Sequence, residues 1–212
     1  MRKLLRATGL AMAVGAGLAA CYPERASQPT DYASITTVYD TLMAFDSALT
    51  FYVPQDSVVH LGGTDNISHQ YDSLIIARTV ANMTARHFTR VLDPTLADLT
   101  LNPAVTVTKN YDYAAIDWCD IWGWAYPWLC SGWTPDYPTD VIGYSYSIGT
   151  LFIPMADLST GVPPAVQAPP VVWIAGLNGV VSGAPSSALA AAIASGIDQA
   201  FVQSPYIFRT TP

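Results

Sequence analysis

The groups able to do chemistry in this sequence are few: three histidines, three cysteines and sixteen acidic residues, the acids all Asp but one. His60, His69 and His87 are scattered, and none has a second His or a Cys at i+3 or i+4, where a helix would present two ligands to one ion. Asp72 follows His69 by three residues, but two ligands do not make a metal site, so no metal and no cofactor is expected. His87 falls on an apolar helical stripe, which points to a hydrogen-bonded core histidine. Ser-Tyr-Ser-Ile-Gly at 145–149 approaches the Gly-x-Ser-x-Gly nucleophile elbow but lacks its first glycine, and no helix follows. Asp98 and Asp157 could pair as acid and base, although aspartates that end β segments are common without such a role. No Gly-rich phosphate loop opens a helix. Asp112, Asp117, Asp120, Asp136 and Asp140 could hold Ca²⁺ but follow no loop signature, so solvated turn acids are the plainer reading. No catalytic residue is therefore expected.

One stretch stands apart. Trp118, Trp122, Trp124, Trp128 and Trp133, five of the six tryptophans, fall within residues 118–133, and Cys119 and Cys130 lie in the same stretch. Three readings are open. The stretch is a long hairpin-like insert packed on itself, a contact surface whose indoles stack on sugar rings or anchor a protein, or a patch at a membrane interface. Sixteen residues offer little room to bury five indoles locally, so at least two are expected to stay exposed. No Lys or Arg occurs between Asn110 and Ile153, which directs the contact reading to protein or neutral glycan rather than an anion.

The N-terminus decides the compartment. Arg2, Lys3 and Arg6 precede an uncharged run, Ala7 to Ala20, too short to span a bilayer but suited to a signal segment. The run ends in Leu18-Ala19-Ala20-Cys21, which resembles the lipobox of bacterial lipoprotein signals. That resemblance implies cleavage after residue 20 and lipid on Cys21, with Tyr22 next to it directing the protein to the outer membrane. It leaves Cys119 and Cys130 as a pair in an oxidising compartment, so a disulfide between them is expected. The chain carries a net charge of −7, and cleavage would take three of its nine basic residues and none of its acidic ones. Such a chain has no electrostatic means of binding nucleic acid without regard to sequence.

The elements that must position these residues follow from period and punctuation. Residues 22–33 are polar and carry two prolines, a tether. Strands are expected at 34–40, 47–54, 97–109 (interrupted by Pro103), 141–158 (kinked at Gly149) and 170–183. Ile76, Val80, Met83, His87 and Val91 predict a helix over 69–92, stopped by Asp93-Pro94. Leu189, Ile193, Ile197, Ala200 and Phe201 predict a second over 186–203, opened by Pro185-Ser186. The expected architecture is α+β: residues 34–207 as one domain in the order ββ-α-βββ-α, a mainly antiparallel sheet with two helices packed on one face, and an aromatic insert at 110–140.

The order of several motifs resembles a family of bacterial lipoproteins known as domain of unknown function 4136. After the lipobox come Asp-Thr-Leu-Met-Ala-Phe-Asp at 40–46, Thr-Ala-Arg-His-Phe-Thr-Arg at 84–90, and the aromatic stretch. Then Gly149, Leu151 and Asp157 match a Gly-x-Leu strand ending in Asp, and Val172-Trp173 with Gly176 matches a Val-Trp strand. A closing helix ends near Phe201 and Pro205. The resemblance implies an outer-envelope lipoprotein facing the periplasm, held to the membrane through Cys21. The family supplies no biochemical activity and no catalytic residues. A non-enzymatic binding or scaffolding role is expected, with a hydrolase of envelope polymers as the alternative.

Overall fold

The computed structural model describes residues 34–56, 58–61, 69–106, 149–159, 170–180 and 186–210. The signal segment, the tether with Cys21 and the whole insert at 110–140 lie outside the described residues. Eight strands and two α-helices are described: β1 Ser34–Tyr39, β2 Thr50–Tyr52, β3 Val59–Leu61, α1 Asp72–Ala85, β4 Thr89–Val91, β5 Leu99–Leu101, β6 Ala104–Thr106, β7 Thr150–Asp157, β8 Val171–Asn178 and α2 Ser187–Val202.

The strands form one mixed sheet in the order β1-β8-β7-β5-β2-β4, with β6 also on β7 and β3 on β6. β1 with β8, β8 with β7, and β7 with both β5 and β6 are antiparallel. β2 with β4, β2 with β5, and β3 with β6 are parallel. The fold is α+β, but the expected mainly antiparallel sheet is overturned. Part of the reason lies at the end of α1. Its helical period continues in the sequence to Val91, yet the helix stops at Ala85 and residues 89–91 form a strand. With β4 counted as helix, the crossover that leaves β2, passes through β3 and α1 and returns as β4 is invisible, and such a crossover joins strands running the same way.

A backbone lock ends α1. The amide of Phe88 donates to the Met83 carbonyl and that of His87 to the Thr84 carbonyl, the paired bonds of a Schellman cap. His87 takes the left-handed position, φ 70°, where glycine is usual. It is exposed, with its ring edge-on to Phe208 at 5.2 Å, so it is not the core histidine that the stripe predicted. At the other end of the fold α2 runs as its sequence indicates. The Ser186 hydroxyl accepts from the Leu189 amide as N-cap, the bond that a serine before an apolar periodic run supplies.

Pro103 does interrupt its strand, but in the interior of the sheet. Proline has no amide for the ladder, so β5 and β6 separate at Asn102-Pro103 and both halves pair with the long β7. The Pro103 carbonyl instead accepts from the Val59 amide and so holds the start of β3. Gly149, φ 80°, turns the chain into β7, and Gly179, φ 76°, turns it out of β8.

One core gathers alternate residues of β7 (Leu151, Ile153, Met155) and β8 (Trp173, Ala175, Leu177) with Ile75, Ile76 and Met83 of α1 and Leu189, Ile193, Ile197 and Phe201 of α2. The period of two in the strands and of three to four in the helices is what lets one layer meet the other. Val80 is only half buried at its margin. Trp173 is the largest fully buried side chain among the described residues, and its indole N–H donates to the Ser204 hydroxyl at 2.9 Å, the partner a buried indole needs. The two helices are also clipped at their surface, where Asp198 accepts from Arg78 at 2.9 Å and from Asn82 at 2.8 Å. No helix among the described residues is long and apolar enough to cross a membrane.

Candidate functional site

The start of α1 carries the one gathering of three metal-ligating side chains among the described residues: His60, His69 and Asp72. Three elements supply them. His60 is the middle residue of β3, opposite Val105 of β6, so it points to the sheet face opposite that of Val59 and Leu61. His69 opens a single 3₁₀ turn, His69–Tyr71, that leads into the helix. Asp72 is the first residue of α1, where the helix dipole favours a negative charge.

Tyr71 fixes this start. Its hydroxyl accepts from the Ser186 amide at 2.8 Å and donates to the Ser186 carbonyl at 3.1 Å, which ties the beginning of α1 to the beginning of α2. Asp72 therefore leaves a helix end that is held to the core on one side.

The carboxylate is nearly buried, with 6 % of its side chain exposed. Burying a carboxylate is costly unless each oxygen finds a donor. Oδ2 accepts from the Val58 amide at 3.1 Å and meets Nδ1 of His69 at 2.7 Å. Oδ1 faces Nε2 of His60 at 3.4 Å. The two imidazoles lie flat on each other, 3.9 Å between centroids and 16° between planes. The three side chains thus converge: one ligating atom from each lies within 4.8 Å of the others. His60 is mostly covered and His69 is two-thirds exposed, so the cluster has a closed wall and an open one. The arrangement can give two nitrogens and an oxygen to a divalent ion.

Asp98 and Asp157 are placed differently. Oδ2 of Asp98 accepts from the amides of Leu49 (2.7 Å) and Thr50 (2.9 Å) and from the Thr50 hydroxyl (3.0 Å). Burial pushes this carboxyl up, but those three bonds outweigh it and hold the group below the ordinary carboxylate value. Oδ1 of Asp157 accepts from the Ser159 amide at 2.8 Å. Both carboxylates sit at strand ends and are engaged by backbone, a structural use. Cys21, Cys119, Cys130 and the five clustered tryptophans lie outside the described residues.

The sequence shows His69 and Asp72 as neighbours one helical turn apart. It does not show His60, which reaches them through the pairing of β3 with β6. The only signal available was a histidine at the centre of a short β-branched segment shortly before a helix start.

The model of the family called domain of unknown function (DUF4136) matches residues 35–206. The chain belongs to that family. No curated protein matches it. Among solved structures it is similar to a DUF4136 family protein from Bacteroides thetaiotaomicron, at 24% identity and a TM-score of 0.62, over 84% of this chain and 98% of that one. It is also similar to a PelC dodecamer from Paraburkholderia phytofirmans, at 16% identity and a TM-score of 0.39, over 84% of this chain and 99% of that one. A PDZ domain protein from Parabacteroides distasonis is similar at 13% identity and a TM-score of 0.43, over 85% of this chain and 37% of that one. The first of these shows the fold.

Proposed function

We propose that the chain is a lipid-anchored protein of the bacterial outer envelope that acts by binding rather than by catalysis. The observation that carries this reading is Leu18-Ala19-Ala20-Cys21, a lipobox followed by a short polar tether and then by the family domain at 35–206. Binding rather than catalysis is supported by the use of Asp98 and Asp157, whose carboxylates are taken by backbone amides. The contact surface is the Trp-rich stretch at 118–133, its shape held by a bridge between Cys119 and Cys130, and its partner an envelope protein or a neutral glycan. A loop of this size closed by a disulfide gains about 3 kcal/mol in the chain-entropy model.

Anchoring is tested by fractionation. The native protein should stay with outer membranes through a high-salt wash, since acyl chains contribute about 0.8 kcal/mol per buried CH₂ and are not screened by salt. Cys21→Ser should accumulate as unlipidated precursor. Native protein that washes off in salt would overturn the anchor. The contact surface is tested by fluorescence in a Trp173→Phe background, which removes the one fully buried indole described. The remaining tryptophans should emit red and quench readily, and shift blue on addition of envelope fraction. Blue, unquenchable emission from the isolated protein would make them a core.

A further inference from the structure

We infer that His60, His69 and Asp72 form a binding site for a divalent first-row transition ion of the zinc class. The inference is independent of the envelope reading and of the Trp-rich stretch.

Three observations carry it. The first is the donor set. Two imidazole nitrogens and one carboxylate oxygen within 4.8 Å of one another suit Zn²⁺ and its neighbours, while Ca²⁺ and Mg²⁺ prefer oxygen ligands throughout. The donors come from β3, from a 3₁₀ turn and from the first residue of α1, so the site is assembled by the fold and not by one flexible segment.

The second is the support around the carboxylate. The Val58 amide holds Oδ2 of Asp72 at 3.1 Å, which fixes the plane of the group and leaves Oδ1 turned toward Nε2 of His60. An outer hydrogen bond of this kind orients a ligating carboxylate. Tyr71, bonded to Ser186, fixes the backbone one residue earlier.

The third is the stacking of the two imidazoles at 3.9 Å beside a single carboxylate. Face to face, the two rings bring one nitrogen each to the same carboxylate, Nε2 of His60 to Oδ1 and Nδ1 of His69 to Oδ2. An ion with bonds of about 2.0–2.2 Å needs its donors roughly 3–3.5 Å apart; the His60 contact to Oδ1 of Asp72, 3.4 Å, lies in that range, and the His69 contact to Oδ2, 2.7 Å, lies below it. Rotation of the exposed His69 ring away from Oδ2 opens the required space. Three protein ligands leave at least one position to water on the open side, next to His69.

The test uses the full-length, untagged protein in detergent, stripped with chelator, and ZnCl₂ as the probe. One equivalent of Zn²⁺ should bind, and it should raise the melting temperature, because the ion binds the folded state. CaCl₂ and MgCl₂ at the same concentrations should not. His69→Ala is the decisive variant, since its side chain is two-thirds exposed and Oδ2 of Asp72 keeps the Val58 amide, so the apo variant should still fold and its Zn²⁺-induced shift is read against its own apo melting temperature. It should weaken Zn²⁺ binding more than about a hundredfold, beyond the ten- to hundredfold that an outer partner is worth. Co²⁺ in place of Zn²⁺ should give a spectrum without a thiolate charge-transfer band. A thiolate band would move the site to Cys119 and Cys130 and overturn the inference. Failure to bind Zn²⁺, or equal binding by His69→Ala, would overturn it too.

Discussion

Asp72 and Asp98 are both carboxylates drawn into the fold at the start of an element, α1 and β5, and they differ in who holds them. Asp98 is held by two backbone amides and the hydroxyl of Thr50, all from the start of β2. Asp72 is held by one amide and faces two imidazoles. Amides cannot release their protons or turn away without breaking the chain's path, so the Asp98 bonds are bonds of architecture. Imidazoles can lose a proton, rotate and ligate, so the Asp72 cluster can exchange one set of partners for another. A carboxylate drawn into a fold is thus a structural or a chemical group according to its donors, and depth alone does not decide.

The comparison is tested most strongly at Asp98. Asp98→Ala removes three hydrogen bonds to a charged acceptor and should cost about 3 kcal/mol in denaturant unfolding, with the Zn²⁺-induced rise in melting temperature preserved. The same group sets an acid limb. Its carboxyl lies below its ordinary value of 3.8 in the folded protein. It therefore contributes stability that is complete above that value and is lost as pH falls through the lower folded one. Asp98→Asn should flatten the stability profile below about pH 4. A steeper acid limb in that variant would mean that the bonds to Leu49 and Thr50 do not form.

Asp72→Asn is the counterpart and should have a smaller effect on folding. The amide oxygen can still accept from Val58, so the expected loss is about 1–2 kcal/mol, while Zn²⁺ binding should disappear. If Asp72→Asn instead costs as much as Asp98→Ala and Zn²⁺ still binds, the two aspartates are alike and the distinction fails.

These contrasts also mark what the sequence made legible. Ser186, an apolar period and Ser204-Pro205 enclose α2, and the helix is where those residues put it. Pro103 announced the break between β5 and β6, because a missing amide is a local property. The end of α1 was not legible: Arg90 and Val91 continue the helical spacing, and the signal that overrides it is a histidine in the left-handed cap position rather than the glycine that usually marks one. Losing β4 concealed one of the three parallel pairings, β2 with β4. For the site, His69 and Asp72 are one turn apart and visible, whereas His60 joins them only through pairing between β3 and β6, a long-range event that no local spacing records.

The smallest effect sharpens the same lesson at His87. A non-glycine residue at φ 70° is strained, so His87→Gly should stabilise the domain by about 0.5–1 kcal/mol, measured as a shift in denaturant midpoint. His87 lies at the far end of α1 from the cluster, so the Zn²⁺ affinity should not change. A change would couple the two ends of the helix.

The claim that Asp72 belongs to a metal centre and Asp98 to the scaffold is tested most directly by anomalous diffraction at the zinc edge from a crystal of the protein grown with Zn²⁺. The account predicts one strong peak about 2.0–2.2 Å from Nε2 of His60, Nδ1 of His69 and a carboxylate oxygen of Asp72, with Asp98 still bonded to Leu49 and Thr50. A crystal with no peak there, and with His69 still hydrogen-bonded to Asp72, would contradict it.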